Sequence, residues 1–166
     1  MTVKKIEQTI KTGGIGIIAT DTIYGLVASA LDKKAVRRVY QVRKRNPNKP
    51  CIILISSIKD LAKFDIKPDK ETLKILNKYW PGKVSIVIND IAFRLPKKAS
   101  LIKLLKQTGP LIAPSANPEG LPPAKTIAEA KAYFGDQVDF YQAGRTTKKP
   151  SRLIKTESGK EVILRK

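Results

Sequence analysis

The sequence predicts an α/β domain with a sheet at its centre, and three observations predict it. Apolar runs at 15–20, 51–55 and 111–113 are too short for buried helices and read as buried strands. Between such runs lie segments with apolar residues at helical spacing, beginning with Val3, Ile6 and Ile10. Hydrophobic residues make up 42% of the chain and aromatic ones only 6%, so the core must be mostly aliphatic. A length of 166 residues suits one domain, 1–166, with a real core.

Each element has a local reason. The first helix stops at Gly13-Gly14, and the strand at 15–20 ends in Thr20-Asp21-Thr22-Ile23-Tyr24-Gly25-Leu26. Hydroxyls gather at that strand end, and Gly25 allows close backbone approach; the same residues are also plain turn formers. Asp32 is placed to cap a helix over 33–42, with Val36, Val39 and Tyr40 facing the core and Lys33, Lys34, Arg37 and Arg38 facing water. That helix runs into Arg43-Lys44-Arg45-Asn46-Pro47-Asn48-Lys49-Pro50, whose two prolines predict an extended loop. Four cations there suit a phosphate, and equally a solvated helix C-terminus. Ser57 and Asp60 resemble a capping box before a short helix to Phe64, and Asp69 caps a further helix with Leu73, Leu76 and Trp80 on one side. Trp80-Pro81-Gly82 stops it. Strands at 84–88 and 91–95 flank Asn89-Asp90, a two-residue hairpin loop. Ser85 and Arg94 lie in these strands; Arg94 interrupts an apolar run, so either it has a partner for its charge or it points outward.

A helix follows at 99–106, and then Gly109-Pro110 introduces the strand at 111–113. Pro114 ends it, and Ser115 and Asn117 follow two residues apart, on one side if the backbone stays extended. A hydroxyl and an amide beyond a strand end suit a small polar ligand, and they are also ordinary turn residues. A stiff loop at 118–123, a capping box of Thr126 and Glu129, a helix to Phe134, a strand at 138–141, a basic loop at 144–151 and two short terminal strands complete the chain.

Composition excludes several chemistries. There is no histidine, and Cys51 is the one cysteine, so zinc sites built on those ligands and Ser-His or Cys-His pairs are ruled out, as is an internal disulfide. A lone buried cysteine fits a reducing cytoplasm, and no long apolar run predicts a membrane span or signal peptide. The net charge of +19, from 33 Lys and Arg against 14 Asp and Glu, favours polyanionic partners such as nucleotides or RNA, or serves only as a solvated coat. Neither GxxxxGK[ST] nor a helix-opening GxGxxG is present, so anion binding must come from side chains and another backbone arrangement.

Six stretches together resemble one family. Thr20-Asp21-Thr22-Ile23-Tyr24-Gly25-Leu26 resembles (P)T(D/E)TxYGLG, Arg43-Lys44-Arg45 with Lys49-Pro50 resembles KxRxxxKP, and Trp80-Pro81-Gly82-Lys83-Val84-Ser85 resembles WPGPLT. Pro114-Ser115-Ala116-Asn117 with Gly120 and Pro122 resembles (T/P)SAN followed by SGxP, Pro150-Ser151 a late PS(T/E) turn, and Ile163-Leu164-Arg165 a closing ILR. In order and spacing this is similar to the YrdC/Sua5 family of threonylcarbamoyl-AMP synthases, in its short form. The resemblance implies an α/β, YrdC-like, open, twisted mixed sheet flanked by helices, with a basic concave cleft. It implies a nucleotidyltransferase that converts L-threonine, bicarbonate or CO2, and ATP into threonylcarbamoyl-AMP and pyrophosphate. The product would serve t6A modification of tRNA through a partner protein complex.

The resemblance also implies roles. Arg43, Arg45 and Lys49 would be catalytic and bind the ATP phosphates, with Ser85, Ser115, Asn117 and Arg165 also at the nucleotide. Thr22, Arg94 and Ser151 would hold threonine. No metal is expected on the protein; Mg2+ would arrive with ATP. Departures are Arg43 for the first Lys of KxR, Asn46 for a proline, Ala19-Thr20 for the usual proline-threonine entry, and no Pro-Gly after ILR. Two other readings remain: a non-catalytic module of this fold that binds double-stranded RNA or tRNA, and a carbamoyl-transfer domain of the hydrogenase-maturation type, against which the length argues.

Overall fold

The computed structural model describes residues 1–157 and 159–166. Helix α1 (Val3–Lys11) buries Ile6 and Ile10, four residues apart on one face, and Thr2 caps it by accepting the Lys5 N–H. Strands β1 (Gly16–Ala19) and β2 (Tyr24–Ser29) form an antiparallel hairpin, so residues 20–23 are its tip. Helix α2 (Lys33–Val42) starts at Asp32, whose carboxylate accepts the Lys34 and Ala35 N–H groups. Strand β3 (Ile53–Leu54) leads to a 3-10 turn (Ile58–Phe64), held by Asp60 accepting from the Ser56 and Ser57 N–H groups. Helix α3 (Lys70–Tyr79) is capped by Asp69. Strands β4 (Val84–Ile88) and β5 (Ile91–Arg94) make the expected hairpin, with Asn89 and Asp90 both at positive φ, as a two-residue loop of this kind requires. Helix α4 (Ala99–Thr108), strand β6 (Leu111–Ile112), helix α5 (Ile127–Phe134) and strands β7 (Phe140–Gln142), β8 (Arg152–Glu157) and β9 (Lys160–Arg165) follow.

The strands form one mixed sheet in the order β7-β1-β2-β6-β3-β5-β4-β8-β9. β7 runs parallel to β1, β3 to β5 and β4 to β8; the other neighbours are antiparallel. Three aliphatic clusters fill the molecule. Ile17, Leu26 and Ala28 pack with Ala35 and Val39 of α2 and with Ala130 and Phe134 of α5. Ile18, Val27, Leu54 and Leu111 pack with α1 and with Leu101, Leu104 and Leu105 of α4. Ile86, Ile88, Phe93 and Ile154 pack with Ile75 and Leu76 of α3. The opposite face of β4, β5 and β8, carrying Val87, Ala92, Leu153 and Lys155, has no helix over it among the described residues and lines an open cleft. Among the described residues no helix is long and apolar enough to cross a membrane.

Two expectations are corrected. Residues 44–50 do not run extended: the Asn46 side chain accepts the Asn48 N–H, its carbonyl accepts the Lys49 N–H, and Lys44 takes a positive φ, so the loop is a pair of turns. An Asx-type bond at Asn46 outweighs the prolines' preference for extension. Arg38 does not simply face water. It donates two hydrogen bonds to Asp139, at 2.6 and 3.1 Å, and one to the Gln137 carbonyl, tying α2 to the segment that leads into β7.

Asp139 also accepts the Ile15 N–H at 2.8 Å. Partial burial pushes its carboxyl pKa up, but the Arg38 and Ile15 donors outweigh that and hold it below the usual range. A depressed folded-state pKa contributes stability above the unfolded value, about 3.9, and loses it as pH falls through the folded value. Urea unfolding across acidic pH should show a steeper loss for the wild type than for Asp139→Asn, whose stability lacks this carboxylate.

Candidate functional site

The site is built where the β1–β2 tip, the end of β5, the segment after β6 and the loop after α2 meet. At the tip, the Thr20 hydroxyl donates to the Ile23 carbonyl at 2.7 Å and accepts the Thr22 N–H at 3.1 Å. Thr22 Oγ1 lies 3.0 Å from Thr20 Oγ1 and accepts from Arg94 Nη1 at 3.0 Å, so its own proton is directed at Thr20. Arg94, only 3% exposed, also sets Nη2 3.1 Å from Asp21 Oδ1, an ion pair without hydrogen-bond alignment. Burial pulls the Arg94 pKa down and the Asp21 charge pulls it back up; an arginine stays protonated regardless. Among the described residues its Nε has no hydrogen-bond partner.

A second buried guanidinium comes from the C-cap of α2. Arg43, 2% exposed, donates Nε to the Asn117 carbonyl at 2.9 Å and Nη2 to Ser115 Oγ at 3.2 Å and Asn117 Oδ1 at 3.4 Å. Burial lowers its pKa, Arg45 adds to that, and Nη1 is left unpaired among the described residues. An unmet buried donor costs about 1–3 kcal/mol; both nitrogens are enclosed, so what each guanidinium brings to its cavity is positive charge. Gly25 of β2 forms an isolated bridge with Ser115; a Cβ at Gly25 would sit 3.3 Å from Thr20 Cγ2, so that methyl would have to give by a few tenths of an ångström.

Two cavities adjoin here. The smaller, about 210 Å³, is bounded by Thr20, Thr22, Arg94, Ala113, Pro150 and Ser151. The larger, about 580 Å³, is bounded by Arg43, Arg45, Val87, Ala92, Leu153 and Leu164. Ile52, Ser115 and Arg165 border both. Arg165 donates Nε to the Ser151 carbonyl and Nη2 to Ser151 Oγ, and Ser151 Oγ lies 2.8 Å from Ser85 Oγ. The loop at 144–150 closes the outer side: Tyr24 exchanges hydrogen bonds with Gly144, and Thr147 Oγ1 donates to the Asp21 and Thr22 carbonyls.

Of the residues expected at a site, Thr22, Arg94, Ser151, Ser115, Arg165, Arg43 and Arg45 border the cavities. Three do not line them. Ser85 is fully buried behind Ser151. Asn117 turns inward, donating to the Pro118 and Leu121 carbonyls while accepting from Arg43. Lys49 turns to Glu119. Asp21, the counter-ion of Arg94, was not among the expected site residues; the demand of a charge inside an apolar strand for a partner was the available signal. Thr20 and Lys155 were also missed. Among the described residues no three His, Cys, Asp or Glu side chains gather as a metal site.

The family model that matches this chain is that of the Sua5/YciO/YrdC domain, described as "Telomere recombination", over residues 8–166. The chain is 29% identical over 174 residues to the threonylcarbamoyl-AMP synthase of Marinobacter nauticus, covering 93% of this chain and 91% of that protein. It superposes on P. abyssi Sua5 complexed with L-threonine with a TM-score of 0.89 at 26% identity, covering 98% of this chain and 53% of Sua5, about half its length. E. coli YciO shares the fold, with a TM-score of 0.86 at 19% identity over 99% of this chain and 88% of its own.

Removing Asp21 strands a buried cation. Asp21→Ala should cost about 3 kcal/mol, and adding Arg94→Met should recover most of it. Urea unfolding of both variants measures this; a loss under about 1 kcal/mol in the single variant would show that Asp21 does not carry the Arg94 charge.

Proposed function

The chain belongs to the Sua5/YciO/YrdC family, and from that premise we propose that it is a threonylcarbamoyl-AMP synthase, a nucleotidyltransferase acting on ATP, L-threonine and bicarbonate. The observation that carries this reading is the pair of adjoining cavities, each bordered by a buried arginine whose charge is fixed in place. The smaller cavity takes threonine: Arg94 meets the carboxylate, and Thr22 and Ser151 offer hydroxyls to its polar groups. The larger takes the nucleotide: Val87, Ala92, Leu153 and Leu164 form an apolar floor for a base, and Arg43 and Arg45 supply charge for the phosphates.

The chemistry asks little acid–base work of the protein. Bicarbonate supplies CO2 by loss of hydroxide; the neutral threonine amine adds to that CO2, and the proton it gives up neutralises the hydroxide, leaving a carbamate and water. A carbamate oxygen then attacks the α-phosphorus of ATP, and the bond to the β-phosphate oxygen breaks with release of pyrophosphate. Alignment and fixed positive charge are the main contributions to such a transfer, which fits a chain without histidine. Ser115 and Arg165, bordering both cavities, stand where the two substrates would meet. Mg2+ would come with the nucleotide and keep most of its waters. A cytoplasmic setting and delivery of the product to tRNA through a partner complex complete the reading.

Pyrophosphate release in the presence of ATP, bicarbonate and threonine tests it, and release that ignores threonine would sink it. Arg45, at the cavity wall, donates to the Lys49 and Pro50 carbonyls; changed to Ala it should lose roughly hundredfold or more in turnover, with only a small change in unfolding because both bonds are exposed. Arg43→Ala should lose both turnover and stability, because Arg43 also joins two segments. A module that only binds RNA would instead bind RNA with steep salt dependence and release no pyrophosphate.

A further inference from the structure

Glu119 is one of 14 acidic residues in a chain of net charge +19, yet it sits beside the basic loop that the nucleotide reading places at the phosphates. Three bonds hold it there. Its backbone N–H donates to the Arg43 carbonyl at 2.7 Å. Its Oε2 accepts the Asn46 N–H at 2.9 Å, and its Oε1 receives the Lys49 ammonium. A backbone N–H and an ammonium converging on one anion are the donors that a phosphate oxygen also collects. Arg43, Arg45 and Pro50 of this loop border the larger cavity, whereas Lys49 is turned to Glu119. The Lys49 side chain remains more than half exposed, so its flexible stem is free to turn once another anion competes. The Lys49 and Asn46 donors, with Arg45 nearby, lower the carboxyl pKa from its ordinary value.

We propose that Glu119 is a built-in stand-in for phosphate: it shapes the loop at 44–50 while the site is empty and yields Lys49 to the polyphosphate chain on binding. The proposal rests on the nucleotide reading of the larger cavity. Glu119 touches no reacting atom and is a positioning residue. Glu119→Gln separates its two functions, because the amide oxygen still accepts the Asn46 N–H while the charge that holds Lys49 is gone. A purely structural Glu119 would give that variant no gain in anion binding, or a gain from the lost negative charge alone that persists without Lys49. A stand-in makes it bind them better, and only while Lys49 is present.

The experiment is calorimetric titration of the full chain with inorganic tripolyphosphate at low ionic strength, for wild type, Glu119→Gln, Lys49→Ala and the double variant. Glu119→Gln should tighten binding roughly two- to fivefold, the range that an ion pair this exposed is able to shift. Lys49→Ala should weaken binding, and the double variant should lose the gain. The KM for ATP should fall by a similar factor in Glu119→Gln while the KM for L-threonine stays. Equal or weaker tripolyphosphate binding in Glu119→Gln, or a gain that persists without Lys49, overturns the proposal. Tightening without any threonine-dependent pyrophosphate release would remove the synthase reading and leave the stand-in; release without tightening would do the reverse.

Discussion

The site depends on where the Arg43 guanidinium is buried. A guanidinium taken out of water is tolerable only if its N–H groups find acceptors. Arg43 finds them in Ser115 and Asn117, up to 74 residues further along the chain. The loop after α2 is thereby fixed against the segment after β6, and the Glu119 N–H to Arg43 carbonyl bond closes the same junction from the backbone side. The group that joins these segments also brings charge to the cavity, with Nη1 still unmatched. Folding strength and charge for the ligand thus meet in one side chain.

The cleft itself follows from unequal coverage of the sheet. Helices α1 and α4 cover one aliphatic face, α2 and α5 another, and α3 the Ile86, Phe93 and Ile154 face. Alternation along β4, β5 and β8 then leaves Val87, Ala92 and Leu153 without a helix among the described residues. An apolar floor bordered by arginines is matched to a ligand that is apolar at one end and anionic at the other. The exposed strand β9 brings Leu164 and Arg165 to the border of that space, and Arg165 reaches back to Ser151.

Charge has two separate roles in this molecule. Most of its cations are solvated and set its long-range field. Arg43 and Arg94 are different: they lie inside, held by a small number of fixed partners, and Arg94 has Asp21 as its counter-charge. Glu119 belongs with them in effect, because it sets where Lys49 rests.

Much of the fold was legible along the chain. The Asp32, Asp69 and Thr126 caps, the Asn89-Asp90 hairpin and the short aliphatic strands all depend on neighbours within a few residues, where propensity and hydrogen bonding act without help. The motif order likewise pointed to the family and to seven of the residues that border the cavities. What the chain could not state was which polar residues face a ligand and which face each other. Asn117 turns inward, Ser85 lies behind Ser151, Asp21 pairs with Arg94, and Asn46 folds its loop into turns against the preference of two prolines. The Ser85–Ser151 and Arg43–Asn117 contacts join side chains 66 and 74 residues apart, and only the packing of the sheet and its helices brings such groups within bonding distance.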